Sequence, residues 1–295
     1  MVLIVFLLAY ILRRQLDAHN RLVSDALWRQ WFHSASKVEA GREPGVSAGL
    51  ALVLVPALTL ALAMVGLDAI GWRFAGYPLE ILVLVLMMGA PGWGAVLRAY
   101  SAAWSRGDMQ GAWWSIEPRL PAAERGAAMS PDSMHLVLSR VLLSTVFQRF
   151  FLIGFWYVVG GIGLAVLARG LVALAEQWPQ AAARARFQTL ANLVAWLPVR
   201  LLSMTFGIAG DLAGWLREFP GNFTARGKKP AEILMISANG SLTGYALDPA
   251  RFSQLHPEDW AEFGGRSLNA VRDLLNRSML VWICALALLV IFGVI

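Results

Sequence analysis

Six apolar runs, at residues 2–12, 49–67, 79–96, 150–174, 187–216 and 278–295, alternate with polar chain. Long polar segments fill 13–45, 98–149 and 217–277, and short links fill 68–78 and 175–186. At a rise of about 1.5 Å per residue, helices of about 20 residues cross a hydrocarbon core about 30 Å thick. No alternation recurs at the roughly ten-residue rhythm of an outer-membrane barrel, so the runs predict helices. The pattern predicts an all-α, polytopic helical integral membrane protein. It forms a single membrane domain over 1–295, with one proline-broken central helix and amphipathic helices on the membrane surface.

The runs differ in kind. Residues 2–12 reach only about 18 Å as a helix, so this element thins the bilayer or starts in the interface. No basic residue precedes it and Arg13-Arg14 follow, the reverse of a secretory signal, which predicts that it is retained. Residues 13–44 read as one surface helix whose apolar content is Leu16, Leu22, Leu27, Trp28, Trp31 and Phe32. Runs 49–67 and 79–96 predict a helical hairpin, the second arm kinked at Gly89-Ala-Pro91-Gly92. Trp113-Trp114 suggests that part of 98–149 lies against headgroups. In the central run 187–216, Pro198 cannot donate a helical hydrogen bond, so the backbone before it needs another partner.

Composition fits this class: of 295 residues, 58% are hydrophobic and only 15% charged, against about 25% charged in soluble domains. The net charge of +6 comes from arginines scattered over several loops, which form no nucleic-acid patch. With the N-terminus outside, 13–45, 98–149 and 217–277 are cytoplasmic and hold nearly all Lys and Arg, leaving Arg73, Arg184 and Arg186 to the outer loops. Cys284 is the single cysteine, so no disulfide can form within the chain.

Two short motifs carry no chemistry. Gly45-Val-Ser47-Ala-Gly49 has the spacing of a nucleophile elbow but opens a membrane helix rather than a strand-to-helix turn. Gly221-Asn-Phe-Thr-Ala-Arg-Gly227-Lys228-Lys229 has one residue too many between its glycines for a phosphate-binding loop and lacks the following Ser or Thr. The histidines His19, His33, His135 and His256 show no metal-ligand spacing and read as surface residues. The central run offers more, because an arginine within membrane is a functional-site candidate unless it snorkels or closes a packing network. Arg200, Ser203, Gly207, Gly210 or Asp211, and Gly214 recur at three- and four-residue steps and line one face. That face is either a small-residue packing seam or a polar groove. Arg200 and Asp211 lie about 16 Å apart along it, too far for an ion pair. Arg149, Arg169 and Glu80 sit near the ends of other runs, where snorkelling and ligand binding are both open.

Trp196-Leu-Pro-Val-Arg-Leu201, Arg149-Phe-Phe with Phe155-Trp156 and Gly160-Gly161, Arg98-Ala-Tyr100 leading to Ser105-Arg106-Gly-Asp108, and Ala270-Val before an apolar tail span nearly the whole chain. Taken in this order they resemble the AmpE-type inner-membrane proteins. That family is described as accompanying a cytoplasmic cell-wall amidase in inducible β-lactamase regulation. It is in turn distantly similar to the adenosylcobinamide-phosphate synthases, the CobD/CbiB family. Their Pro-Ala-Arg-Leu element is matched by Pro198-Val199-Arg200-Leu201 and their Gly-Asp helix by Gly107-Asp108. A further segment before their final helices resembles Ser237-Ala-Asn-Gly-Ser-Leu-Thr-Gly244. The synthases carry acids where this chain reads Ser139-Arg140-Val-Leu-Leu-Ser144-Thr145-Val-Phe-Gln148-Arg149, and an Asp-rich stretch where it reads Leu190-Ala-Asn192-Leu-Val-Ala-Trp196. Carboxylates generally hold the magnesium on transferring phosphates, so the resemblance implies a kept scaffold without the synthases' metal site.

The resemblance implies a multi-pass protein of the bacterial inner membrane that regulates or senses in cell-wall-linked β-lactamase induction. Arg200, Arg149, Asn192, Asp211, Arg106 and Asp108 are the candidate ligand-binding residues, and Pro198, Gly207, Gly210 and Gly214 the structural ones. No catalytic residue, metal or cofactor is assigned. Membrane lipids, a signalling partner in cytoplasm or membrane, and a second copy of the chain are the partners considered, and nucleic acid is not. An ATP-dependent amide-forming synthase or transferase and a transport module for lipids or small molecules stay open as alternatives.

Overall fold

The computed structural model describes residues 1–18, 24–35, 45–90, 92–126, 130–223 and 227–293. Among them the regular structure is entirely helical. The helices are α1 (Val2–Ala18), α2 (Ser24–Ala35), α3 (Val46–Ala69), α4 (Arg73–Met87), α5 (Trp93–Ser105), α6 (Met109–Ile116) and α7 (Ala122–Arg125). There follow α8 (Pro131–Val146), α9 (Leu152–Gln177), α10 (Ala181–Ala209), α11 (Leu212–Phe223), α12 (Pro230–Ser241), α13 (Pro249–Leu255) and α14 (Trp260–Ile291). A π-helical turn, Phe147–Phe151, joins α8 to α9.

Among the described residues, four helical stretches are long and apolar enough to cross a membrane: Val46–Ala69, Pro131–Gln177, Ala181–Ala209 and Pro257–Ile291. Only 17% of the apolar window of Val46–Ala69 is buried within the protein, so lipid has to cover the rest. The protein is therefore a helical membrane protein. Two predicted runs fall short of spanning. The first is α1, of 17 residues. The second, 79–96, is divided: α4 stops at Met87 after 15 residues, because Gly89 (φ 104°) and Gly92 (φ 80°) adopt left-handed backbone on either side of position 91, a proline in the sequence.

The proposed single surface helix over 13–44 is also divided. Arg13 belongs to α1 and is fully buried, while α2 inserts Phe32 into an apolar core. Leu22 and residues 36–44 lie outside the described residues.

The central helix runs through Pro198 without ending, and the interruption comes at Gly210-Asp211 instead. Proline at 198 leaves the carbonyl of Val194 without its helical donor. The Trp156 indole supplies one, Nε1 donating to Val194 O at 3.2 Å. Pro56 in α3 leaves Leu52 O in the same position, and Trp31 Nε1 donates to it at 3.1 Å.

By its internal contacts the chain forms two compact units. One comprises Met1–Pro91, Val146–Pro198 and Leu289–Ile295. Its core gathers Phe32, Val53, Leu171, Leu174, Trp178 and Phe187. Close approach of α3 and α9 there depends on Gly163, where a Cβ would lie 2.9 Å from Ala57 O, and on Gly170, which receives Val53. The other unit comprises Gly92–Thr145 and Val199–Leu288. Trp104 is buried in it against Gly264 and donates from Nε1 to Trp260 O at 3.0 Å. The Gly45-x-Ser-x-Gly49 motif opens α3 as a packing feature, since a Cβ at Gly49 would stand 2.6 Å from the Phe187 ring.

Candidate functional site at the α10–α12 junction

In the second unit, the helix face traced from Arg200 meets α11 and α12. Arg200 is 3% exposed. One turn on, Ser203 Oγ lies 2.6 Å from Ser237 Oγ and accepts a hydrogen bond from Trp215 Nε1 at 3.3 Å. The glycines make this contact sterically possible. A Cβ at Gly207 would lie 2.8 Å from the Trp215 ring, one at Gly210 would lie 2.5 Å from Ser241 O, and one at Gly214 would strike Gly240 O. The backbones are joined directly as well, Asp211 N donating to Ser241 O at 2.8 Å. The face is thus a small-residue packing seam that encloses polar groups.

Two polar atoms at this junction are buried without a hydrogen-bond partner, Ser241 Oγ and Asn239 Oδ1. Just beyond, Thr243 takes φ 67°, a left-handed conformation that is strained for a β-branched residue, and Gly244 follows at φ 76°. The turn is held by Gly244 N donating to Asn239 O at 2.8 Å and by Arg251 Nη1 donating to Gly244 O at 3.3 Å. Paired hydroxyls, an indole N–H and a buried guanidinium suit recognition of a polar or anionic group. Among the described residues, no three His, Cys, Asp or Glu side chains gather in a metal-binding arrangement.

Of the other sequence-derived candidates, Asp211 stands at the edge of the junction and the rest lie elsewhere. Asp211 is exposed and accepts from Ala213 N at 3.0 Å, capping α11. Asp108 is the N-cap of α6, accepting from Gly111 N at 2.8 Å, and Arg106 is the exposed residue that ends α5. Asn192, half-buried, accepts from Gln188 Nε2 at 2.9 Å in the other unit. Arg149 also belongs to that unit. It is buried and donates to Gly89 O at 3.5 Å, just beyond α4. There it meets a second polar cluster: Arg13 donates to Val85 O at 2.9 Å and pairs with Asp17 at 2.9 Å, and Asp17 Oδ2 accepts from Ala90 N at 2.9 Å.

One histidine departs from the surface reading. His135 is fully buried, with Nδ1 3.1 Å from the Tyr100 hydroxyl and Nε2 2.8 Å from Ser267 Oγ. Burial pushes the Tyr100 phenol well above its ordinary value. The apolar context Met134-His-Leu-Val-Leu138 was the signal available in the sequence. Glu80, read as an end-of-run residue, is buried inside α4. Ser237, Ser241 and Trp215 join the site only through tertiary contact.

No protein-family model, curated protein or solved structure matches this chain.

Proposed function

We propose that this protein is a regulatory or sensory protein of the bacterial inner membrane. It acts by binding a ligand or partner at the α10–α12 junction and works in cell-wall-linked β-lactamase induction. The reading is supported by one juxtaposition. Two of the segments that carry the resemblance, Pro198–Leu201 and Ser237–Gly244, lie on helices joined by the Ser203–Ser237 contact of 2.6 Å. A buried arginine one helical turn from the paired hydroxyls favours recognition of a polar or anionic group.

The test is genetic and biochemical together. In a host with inducible β-lactamase, deleting the gene changes induction by a β-lactam, and Arg200→Ala reproduces the deletion at normal protein level. Unaltered induction in the deletion strain overturns the signalling role. Native mass spectrometry of protein extracted in mild detergent reads the ligand, and a bound small molecule lost in Arg200→Ala ties it to the junction. Metal-dependent nucleotide turnover by the purified protein would instead favour the synthase alternative.

A further inference from the structure

Helix α11 carries an apolar flank that faces away from the helices it packs on. Leu212 and Leu216, one turn apart, are 50% and 51% exposed. In the sequence Phe219 and Phe223 continue the same three- and four-residue spacing. The flank turned to the protein is a different one, where Gly214 meets Gly240 and the Trp215 ring packs on Gly207. The stem of Glu218 lies against Gly240 on that side as well. Arg217, about 100° round the helix from Leu216, is exposed.

The chain before α11 fixes where it starts. α10 is long and apolar enough to cross a membrane and ends at Ala209, and Asp211 is the first charged residue after Arg200. In one straight helix, Ser203 and Trp215 would stand about 18 Å apart along the axis. Trp215 Nε1 instead donates to Ser203 Oγ at 3.3 Å, so the chain folds back at Gly210-Asp211 and α11 does not run on outward along α10. With 12 residues, α11 is about 18 Å long, too short for a hydrocarbon core about 30 Å thick. Arg217 and Glu218 stand midway along it.

These features set opposing demands. Charged side chains in mid-helix are costly in hydrocarbon, and exposed leucines are costly in water. A short helix that starts at the end of a membrane-crossing one, and folds back, meets both demands in the layer between lipid and water.

We infer that α11 lies in the headgroup–acyl boundary of the membrane, with Leu212 and Leu216 toward the acyl chains and Arg217 reaching lipid phosphates. Its stem covers apolar surface while the guanidinium stays in the polar layer. The lipid surface is the partner of the exposed flank, and the neighbouring flank holds Trp215 against Ser203.

The experiment places a nitroxide label on the full chain in phosphatidylcholine nanodiscs, at Leu212→Cys, Leu216→Cys or Arg217→Cys, each combined with Cys284→Ser. Power saturation compares collisions with oxygen, which concentrates in lipid, and with a water-soluble nickel chelate. Labels at 212 and 216 are expected about 5–10 Å into the boundary. There they are several-fold less accessible to the chelate than the label at 217, and more accessible to oxygen. Both positions are exposed and report independently, so loss of one variant leaves the other to decide. Equal chelate access at all three positions overturns the proposal in favour of water. Labels all as deep as one at Leu58→Cys, an exposed position midway along α3, place α11 in the hydrocarbon core and also overturn it. Low access to both reagents at 212 and 216 marks a protein cover, such as a second copy of the chain, and overturns it too.

Discussion

The indole N–H of Trp156 donates to the carbonyl of Val194, the group in α10 that Pro198 leaves without a helical donor. Trp31 does the same for Leu52 O, which Pro56 leaves open in α3. In water a freed carbonyl is solvated at little cost. In lipid it is not, so each proline within a spanning helix is matched by a tryptophan from another helix.

This pairing predicts a specific coupling. Trp156→Phe lowers stability by about 1 kcal/mol beyond the loss of packing, since it strands Val194 O. In the Pro198→Ala background the same change costs less, because residue 198 then donates to Val194 O itself. A double-mutant cycle by denaturant titration in detergent measures the difference, and a zero coupling energy would refute the pairing.

The junction of α10, α11 and α12 rests on glycines at closest approach. Gly214→Ala drives a methyl into Gly240 O and is expected to destabilise by about 1–3 kcal/mol. Gly66→Ala, where a Cβ meets nothing within 4 Å, stays near neutral or gains slightly from helix propensity. Thermal unfolding midpoints of the two variants in one detergent make the comparison.

Gly89 holds φ 104°, and a Cβ there would also strike the Arg13 guanidinium. Gly89→Ala therefore combines backbone strain of about 1–3 kcal/mol with displacement of Arg13 from Val85 O. Limited proteolysis is expected to cut this variant between α4 and α5 faster than the parent.

Tyr100 is buried, so the folded protein keeps its phenol protonated where the unfolded chain begins to release the proton, above about pH 10. Above that pH the unfolded state binds fewer protons than the folded one, and stability falls as pH rises. Tyr100→Phe flattens the alkaline limb of the stability profile. It also costs stability at neutral pH, because His135 loses its Nδ1 partner. Stability profiles of equal alkaline slope in the two proteins would contradict this.

The sequence by itself determined the class and the raw material. Apolar runs too long and too unbroken for a soluble core dictate membrane helices, and 49–67, 150–174, 187–216 and 278–295 correspond to the four spanning stretches. The periodicity from Arg200 through Ser203 to Gly207 marks one face of α10, because side-chain spacing on a helix is a local property, whereas the chain breaks at Gly210-Asp211 and Gly214 lies on α11.

Tertiary structure decided what local pattern could not. Pro198 reads as a breaker, yet the helix continues because Trp156, 38 residues before Val194, satisfies the Val194 carbonyl that the proline frees. The run 79–96 reads as one span, yet two glycines in left-handed backbone end it, held by Arg13, Asp17 and Arg149. His135 and Glu80 read as surface or end residues. Burying a polar side chain is costly unless partners meet its hydrogen-bonding needs, and for His135 and Glu80 the partners Ser267 and Tyr157 are 132 and 77 residues away.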